Sequence, residues 1–209
     1  MRKRPQTQTA HPNIFAGSTL TVAKRLLGCR LIHETADGRT AGIIVETEAY
    51  LRDDQASHSF RGQTPRNTPM FGPAGTVYVY FTYGMHHCFN VVTNRAGVGE
   101  AVLIRALEPI EGIEIMRKRR EVEDLQVLCS GPAKLVEAMG ITKAHNGTSL
   151  LDGPLRIEAR TRTHSKITTT TRIGIKRGSE HLYRFCIADN SSVSVNTLRG
   201  PRRPKKDHR

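Results

Sequence analysis

Residues 39–50, RTAGIIVETEAY, decide how the rest of the chain is read. The run starts just after Asp37-Gly38, a pair suited to the left-handed conformations of a tight turn, and Cys29–Thr35 before that turn is again strand-like. The two runs read as a β-hairpin. The second strand ends in VETEAY, Val45 to Tyr50, which sets two carboxylates in an otherwise apolar strand. Side chains alternate along a strand, so Glu46, Glu48 and Tyr50 share one face while Val45, Thr47 and Ala49 share the other. Strand interiors are poor places for carboxylates, so the first face is either solvated or the wall of a polar pocket. Alternation does not choose between the two acids.

Outward from this hairpin, Thr76–Tyr83 and His86–Thr93 read as two strands meeting around Gly84-Met85, and Ala101–Leu107 as a third. Ser18 or Thr21 is expected to cap a short helix through Leu26-Leu27, ended by Gly28. Pro109 is expected to open a helix with Ile110, Ile113 and Met116 on its apolar side and the basic Arg117–Arg120 at its end. A further helix is expected from Ser130 to Met139, stopped by Gly140. Leu155–Ala159, Thr169–Lys176, Tyr183–Ala188 and Val193–Val195 read as short strands. The polar stretch Leu51–Gly72 is long for a plain connection, which favours a functional loop. With no internal repeat, this predicts one α+β domain over residues 16–198, a curved, mainly antiparallel sheet flanked by helices. Residues 1–15 and 199–209 are expected to be basic, disordered segments.

A length of 209 residues suits one well-cored domain, and the formal charge of +13 points to an anionic partner, nucleic acid first. Much of that charge is terminal. Residues 1–4 hold three basic side chains and residues 199–209 hold six against Asp207, so the ends carry +8 and residues 5–198 only +5. Cys29, Cys88, Cys129 and Cys186 lie far apart with no CxxC pair, which argues against a zinc ribbon or a disulfide scaffold. There is no apolar run of membrane-spanning length and no signal-peptide core. A soluble, intracellular protein that does not engage membranes is expected.

Four of the five tyrosines, Tyr50, Tyr78, Tyr80 and Tyr83, fall between residues 50 and 83. In TVYVYFTYG, Tyr78 and Tyr80 point one way and Val77, Val79 and Phe81 the other, with Tyr83 beside the glycine of a turn. Rings beside carboxylates in a basic protein suit base stacking combined with acid–base work, although tyrosines also pack sheets simply as good strand formers. The loop SHSFRGQTPRN offers His58, Arg61 and Arg66, residue types that contact phosphates. His86-His87-Cys88 resembles a metal cluster, but adjacent strand residues face opposite sides, so no metal and no cofactor is expected. In SGPAKL, Ser130 caps a helix with Lys134 in its first turn, either a phosphate site or ordinary capping.

Taken together and in this order, VETEAY, the loop block from Ala56 to Asn67, GTVYVYFTYGMHHCFN, AVLIRALEP and CSGPAKL resemble the 3-methyladenine (alkyladenine) DNA glycosylases, from about Leu20 to Leu135. The resemblance implies a monofunctional enzyme of base excision repair. Such an enzyme flips an alkylated or deaminated purine out of double-stranded DNA and hydrolyses its N-glycosidic bond, leaving an abasic site. It implies Glu48 as general base for the attacking water, its pKa raised by burial, with Arg105 helping to position it. It implies Tyr50, His58, Tyr80 and Asn90 around the base, and Tyr83 as the wedge that fills the gap in the duplex. Glu46 is left a supporting carboxylate, while Arg61, Arg66 and Lys134 are expected on the DNA backbone. A monomer is expected, in the cytoplasm or nucleoid of a bacterium or the nucleus of a eukaryote. The competing readings are a non-catalytic RNA- or ribosome-binding basic protein, which has no need of Glu48, and a metal-dependent nuclease.

Overall fold

In the computed structural model, which describes residues 14–82, 86–160 and 166–194, Ser18 caps the first helix as its hydroxyl accepts from the Thr21 amide at 3.3 Å. That helix, α1 (Thr19–Leu26), buries Val22, Ala23 and Leu26 on one side. Strands β1 (Arg30–Thr35) and β2 (Gly38–Tyr50) form the hairpin, in the register Thr35 opposite Gly38 and Arg30 opposite Ile43. β3 (Val77–Thr82), β4 (His86–Thr93) and β5 (Glu100–Glu111) follow, then α2 (Ile113–Arg120), α3 (Leu125–Leu128) and α4 (Pro132–Met139). Three short strands close the order: β6 (Leu155–Glu158), β7 (Ile167–Thr170) and β8 (Arg184–Ile187).

Every pairing is antiparallel, and the sheet runs β3-β4-β5-β2-β1-β6. β2 is its spine. One edge pairs with β5 from Ala41 to Tyr50, while the other pairs with β1 as far as Ile43 and with β8 from Glu46 to Glu48. The change of partner coincides with register irregularities around Glu46, where the ladder steps from Ile44–Leu107 to Glu46–Ala106 to Thr47–Ile104. Such irregularities bend a strand and re-aim its side chains. The α+β domain with its curled antiparallel sheet agrees with the sequence reading.

The two faces of the sheet do different work. Val77, Val79, Ile44, Ile104 and Leu107 pack with Leu26, Leu135 and Met139 in the main core under α1 and α4. Tyr78, Met70, Val92 and Ala101 form a smaller cluster on the opposite face, against which Tyr50 and Tyr80 pack. Among the described residues no helix is long and apolar enough to cross a membrane.

Several elements differ from expectation. Pro109 does not open a helix; it lies in β5 opposite Gly42, and α2 begins only after Gly112 adopts a left-handed φ of 70°. Proline tolerates a strand position beside a ladder irregularity, and the register shifts between Ala41 and Gly42. Gly131, not Ser130, caps α4, and α3 was not foreseen. The strand expected over 169–176 ends at Thr170, and two residues later Arg172 turns inward onto Asp54. Val193 and Ser194 are not in a strand, and the ends 1–13 and 195–209 and the expected turn at Gly84-Met85 lie outside the described residues. Ile14 and Phe15, expected in the basic N-terminal segment, are buried in the main core.

Gly112 joins β5 to α2 at a spot where a Cβ would strike the Arg39 carbonyl oxygen. Gly112→Ala adds left-handed strain to that clash and is expected to cost at least about 1–3 kcal/mol in urea unfolding. An unchanged midpoint would show that the junction relaxes freely.

Candidate active site

The polar face of β2 is not solvated. Glu46 and Glu48 are both 0% exposed, and Arg105 from β5 reaches both carboxylates. Its Nε donates to Glu46 Oε1 at 2.9 Å, and its Nη1 lies 3.4 Å from Glu48 Oε1. The irregular register between β2 and β5 falls at this contact.

The two acids then diverge. Glu46 Oε1 also accepts from Arg184 Nε at 2.7 Å and from the Ser194 hydroxyl at 2.9 Å, and Oε2 accepts from the Ser194 amide at 2.7 Å. Burial alone would raise its pKa, but two guanidinium groups and the serine hydrogen bonds hold it below the usual carboxylate range. Glu48 accepts the Ile173 amide on Oε1 at 2.8 Å and the Tyr50 hydroxyl on Oε2 at 2.9 Å. Here burial outweighs the Arg105 charge and these donors, and the pKa is raised. One strand face thus carries a carboxylate saturated by cations and a second that binds a proton more readily.

A cavity of about 350 Å³, in the size range of small-molecule pockets, is bordered by the three residues that contact Glu48: Arg105, Tyr50 and Ile173. Tyr50, Tyr80, His58, Asn90 and Arg105 line it, as do Cys88, Met70 and the loop Ile173–Ile175. His58 stands exposed at the mouth; its Nδ1 pairs with the Tyr78 hydroxyl at 2.9 Å and its ring meets that of Tyr80 edge-on at 4.4 Å. Desolvation of the ring on its pocket side, and then the Arg66 charge, lower its pKa, so near neutral pH His58 is largely an uncharged imidazole. Burial pushes the Tyr78 phenol up to about 12 and raises those of Tyr50 and Tyr80, so these rings stay neutral. Asn90 is buried, with Nδ2 donating to the Tyr78 carbonyl at 3.0 Å, which fixes how its amide faces the cavity.

The remaining candidates sit around the rim or beyond it. Arg61 and Arg66 are exposed, and Arg66 Nη2 donates to the Phe81 carbonyl at 2.9 Å. Half-buried Lys134 donates to the Ser130 hydroxyl at 3.3 Å, near Pro132 on the pocket wall. Tyr83 lies outside the described residues. No group of three or more His, Cys, Asp or Glu side chains among the described residues is placed to hold a metal ion; His86 is exposed and the His87 ring sits 5.0 Å from Phe81.

Sequence reading missed Ile173, Arg184, Ser194 and the buried pair Asp54–Arg172. Two of these contacts are made by backbone amides, which leave no mark in residue identity. The arginines follow a threonine run and a tyrosine that read as plain strand.

Residues 13–191 match the family described as methylpurine-DNA glycosylase. A protein of Methanoculleus marisnigri is 52% identical over 184 residues, covering 86% of this chain and 95% of its own length. One of Chlorobium phaeobacteroides is 50% identical over 185 residues, covering 87% and 93%. Both carry the name "Putative 3-methyladenine DNA glycosylase".

Removing the Glu46 charge takes away the buried carboxylate that two guanidinium groups share. Glu46→Gln is expected to cost about 3–5 kcal/mol at pH 7 in urea unfolding. The folded-state pKa of Glu46 lies below its unfolded value, so its contribution is complete above the unfolded pKa and is lost as pH falls through the folded one. The gap between wild type and Glu46→Gln should therefore narrow in strong acid. A gap that is small at pH 7, or that widens on acidification, contradicts the network.

Proposed function

The chain belongs to the methylpurine-DNA glycosylase family, and from that premise we propose that it flips alkylated or deaminated purines out of double-stranded DNA and hydrolyses their N-glycosidic bond with water activated by Glu48. One observation carries the reading: a buried carboxylate of raised pKa is held by Arg105, the Ile173 amide and the Tyr50 hydroxyl, three residues that line an aromatic pocket of about 350 Å³.

Glu48 Oε2 accepts from Tyr50 and keeps a second lone pair for a water at the pocket floor. That water forms its bond to C1′ of the sugar and gives its proton to Glu48. The C1′–N bond breaks, and its electron pair leaves with the purine. A purine alkylated on a ring nitrogen carries positive charge and departs neutral, so this half of the reaction needs no strong acid. Its charge also strengthens stacking on the neutral, electron-rich rings of Tyr50 and Tyr80. Arg105 holds the carboxylate in place, His58 donates toward the sugar or phosphate at the mouth, and Asn90 disfavours the exocyclic amino group of normal guanine. A lyase reaction needs an amine nucleophile, and none of the residues lining the pocket is a lysine, which favours simple hydrolysis to an abasic site.

On this reading Tyr83, which follows β3 in the sequence, enters the duplex as the wedge, and Arg61, Arg66 and Lys134 hold the phosphates on either side. The enzyme works as a monomer inside the cell, where its substrate is.

Wild-type protein is expected to release 3-methyladenine or hypoxanthine from duplex DNA, and Glu48→Gln to lose about 100- to 10,000-fold in single-turnover rate with duplex binding retained. Full activity in Glu48→Gln removes it from the chemistry. Absence of any base release by wild type removes the enzyme reading altogether.

A further inference from the structure

Two loops contribute to the pocket wall: one through Ala56 and His58, the other through Ile173, Gly174 and Ile175. A buried ion pair joins them. Arg172 forks onto both oxygens of Asp54, Nη2 donating to Oδ1 at 3.0 Å and Nη1 to Oδ2, with side-chain exposures of 0% and 1%. Nη1 also donates to the Ala49 carbonyl at 2.9 Å, and Nη2 to the Gly178 carbonyl at 3.1 Å. The guanidinium carbon lies 4.7 Å from the centre of the Tyr50 ring and 5.3 Å from that of Tyr183. One side chain thereby fixes the end of β2, the 51–60 loop and its own loop.

The residue that follows Arg172 is the one whose amide donates to Glu48 Oε1 at 2.8 Å, and the ring that Arg172 stacks on carries the hydroxyl that donates to Oε2 at 2.9 Å. Both neutral donors to the carboxylate thus depend on one guanidinium, while Arg105 supplies the charge. Adhesion of two loops does not require this device: a buried ion pair gives little net stability relative to a well-packed apolar pair. A planar fork that reads one carboxylate and two carbonyls does select one geometry. We infer that Asp54 and Arg172 are a positioning pair for the reaction, holding the Ile173 amide and the Tyr50 hydroxyl on Glu48 and so setting how readily that carboxylate accepts the water's proton. This rests on the proposal that Glu48 is the base.

The test compares Arg172→Gln, Arg172→Lys and Asp54→Asn with wild type, counting folded molecules by circular dichroism. Single-turnover release of a modified purine from duplex DNA is followed against pH, with duplex affinity measured in parallel. Each variant is expected to lose on the order of 100-fold in rate while affinity stays roughly constant. A base works when ionised, and loss of a donor to the carboxylate favours its protonated form. The acid-side limb of the rate profile should therefore move upward by about one pH unit, the worth of one charge-assisted hydrogen bond. Arg172→Lys keeps the charge without the fork and is expected to show the same upward shift. Lowered thermal stability with an unchanged rate per folded molecule and an unmoved limb overturns the inference. If Arg172→Gln does not fold, Asp54→Asn and Arg172→Lys decide it. Activity retained in Glu48→Gln defeats the base assignment itself; an inactive Glu48→Gln with an unmoved limb in Asp54→Asn defeats only the positioning role.

Discussion

Two carboxylates two residues apart on the buried face of one strand repel each other where water cannot screen them, and the architecture answers to that constraint. Arg105 must lie between them, and the β2–β5 ladder is irregular at the level of Glu46. Arg184 must reach Glu46 from the other edge, and β8 takes over from β1 as the partner of β2 at that level. Ser194 closes the set with its amide and hydroxyl. Glu46 is held ionised by this network. Glu48, sharing Arg105 but not Arg184, is left as the carboxylate whose proton affinity burial controls.

The site is assembled from distant parts of the chain. β2 supplies the acids, the 51–60 loop and β3 the aromatic wall, and the segment 171–194 the donors that finish both carboxylates. The pocket therefore takes part of its wall, Ile173 to Ile175, from the loop between β7 and β8. Neutral tyrosines line the pocket, with the buried Glu48 behind them and the exposed Arg61 and Arg66 outside it.

The part of this organisation legible in the sequence came from periodicity and turn chemistry. The Asp37-Gly38 turn joins the hairpin as expected. The shared face of Glu46, Glu48 and Tyr50 and the opposition of Val77 and Val79 to Tyr78 and Tyr80 match the structure. The irregular ladder at Glu46, however, puts Ile44 rather than Val45 in the main core with Ala49, and Phe81 is exposed. Family order singled out Glu48 over Glu46, which alternation could not do. Failures came where tertiary contacts override local preference. Pro109 carries a helix-start signal, yet it sits beside a ladder irregularity that tolerates its missing donor. The stretch from Thr169 to Lys176 has strand-like residues, but β7 ends at Thr170 and Arg172 turns inward onto Asp54. An arginine buried with an aspartate 118 positions away has no local signature, and neither has an amide that donates to a carboxylate.

The account turns on the two glutamates having opposite proton affinities despite sharing one arginine. Carbon-13 titration of the glutamate carboxyls, with Glu46→Gln and Glu48→Gln assigning the two signals, measures this directly. Relative to the ordinary glutamate value of about 4.3, the Glu48 signal should titrate higher and the Glu46 signal lower. A Glu48 signal at or below the ordinary value, or the reverse order of the two, contradicts the account.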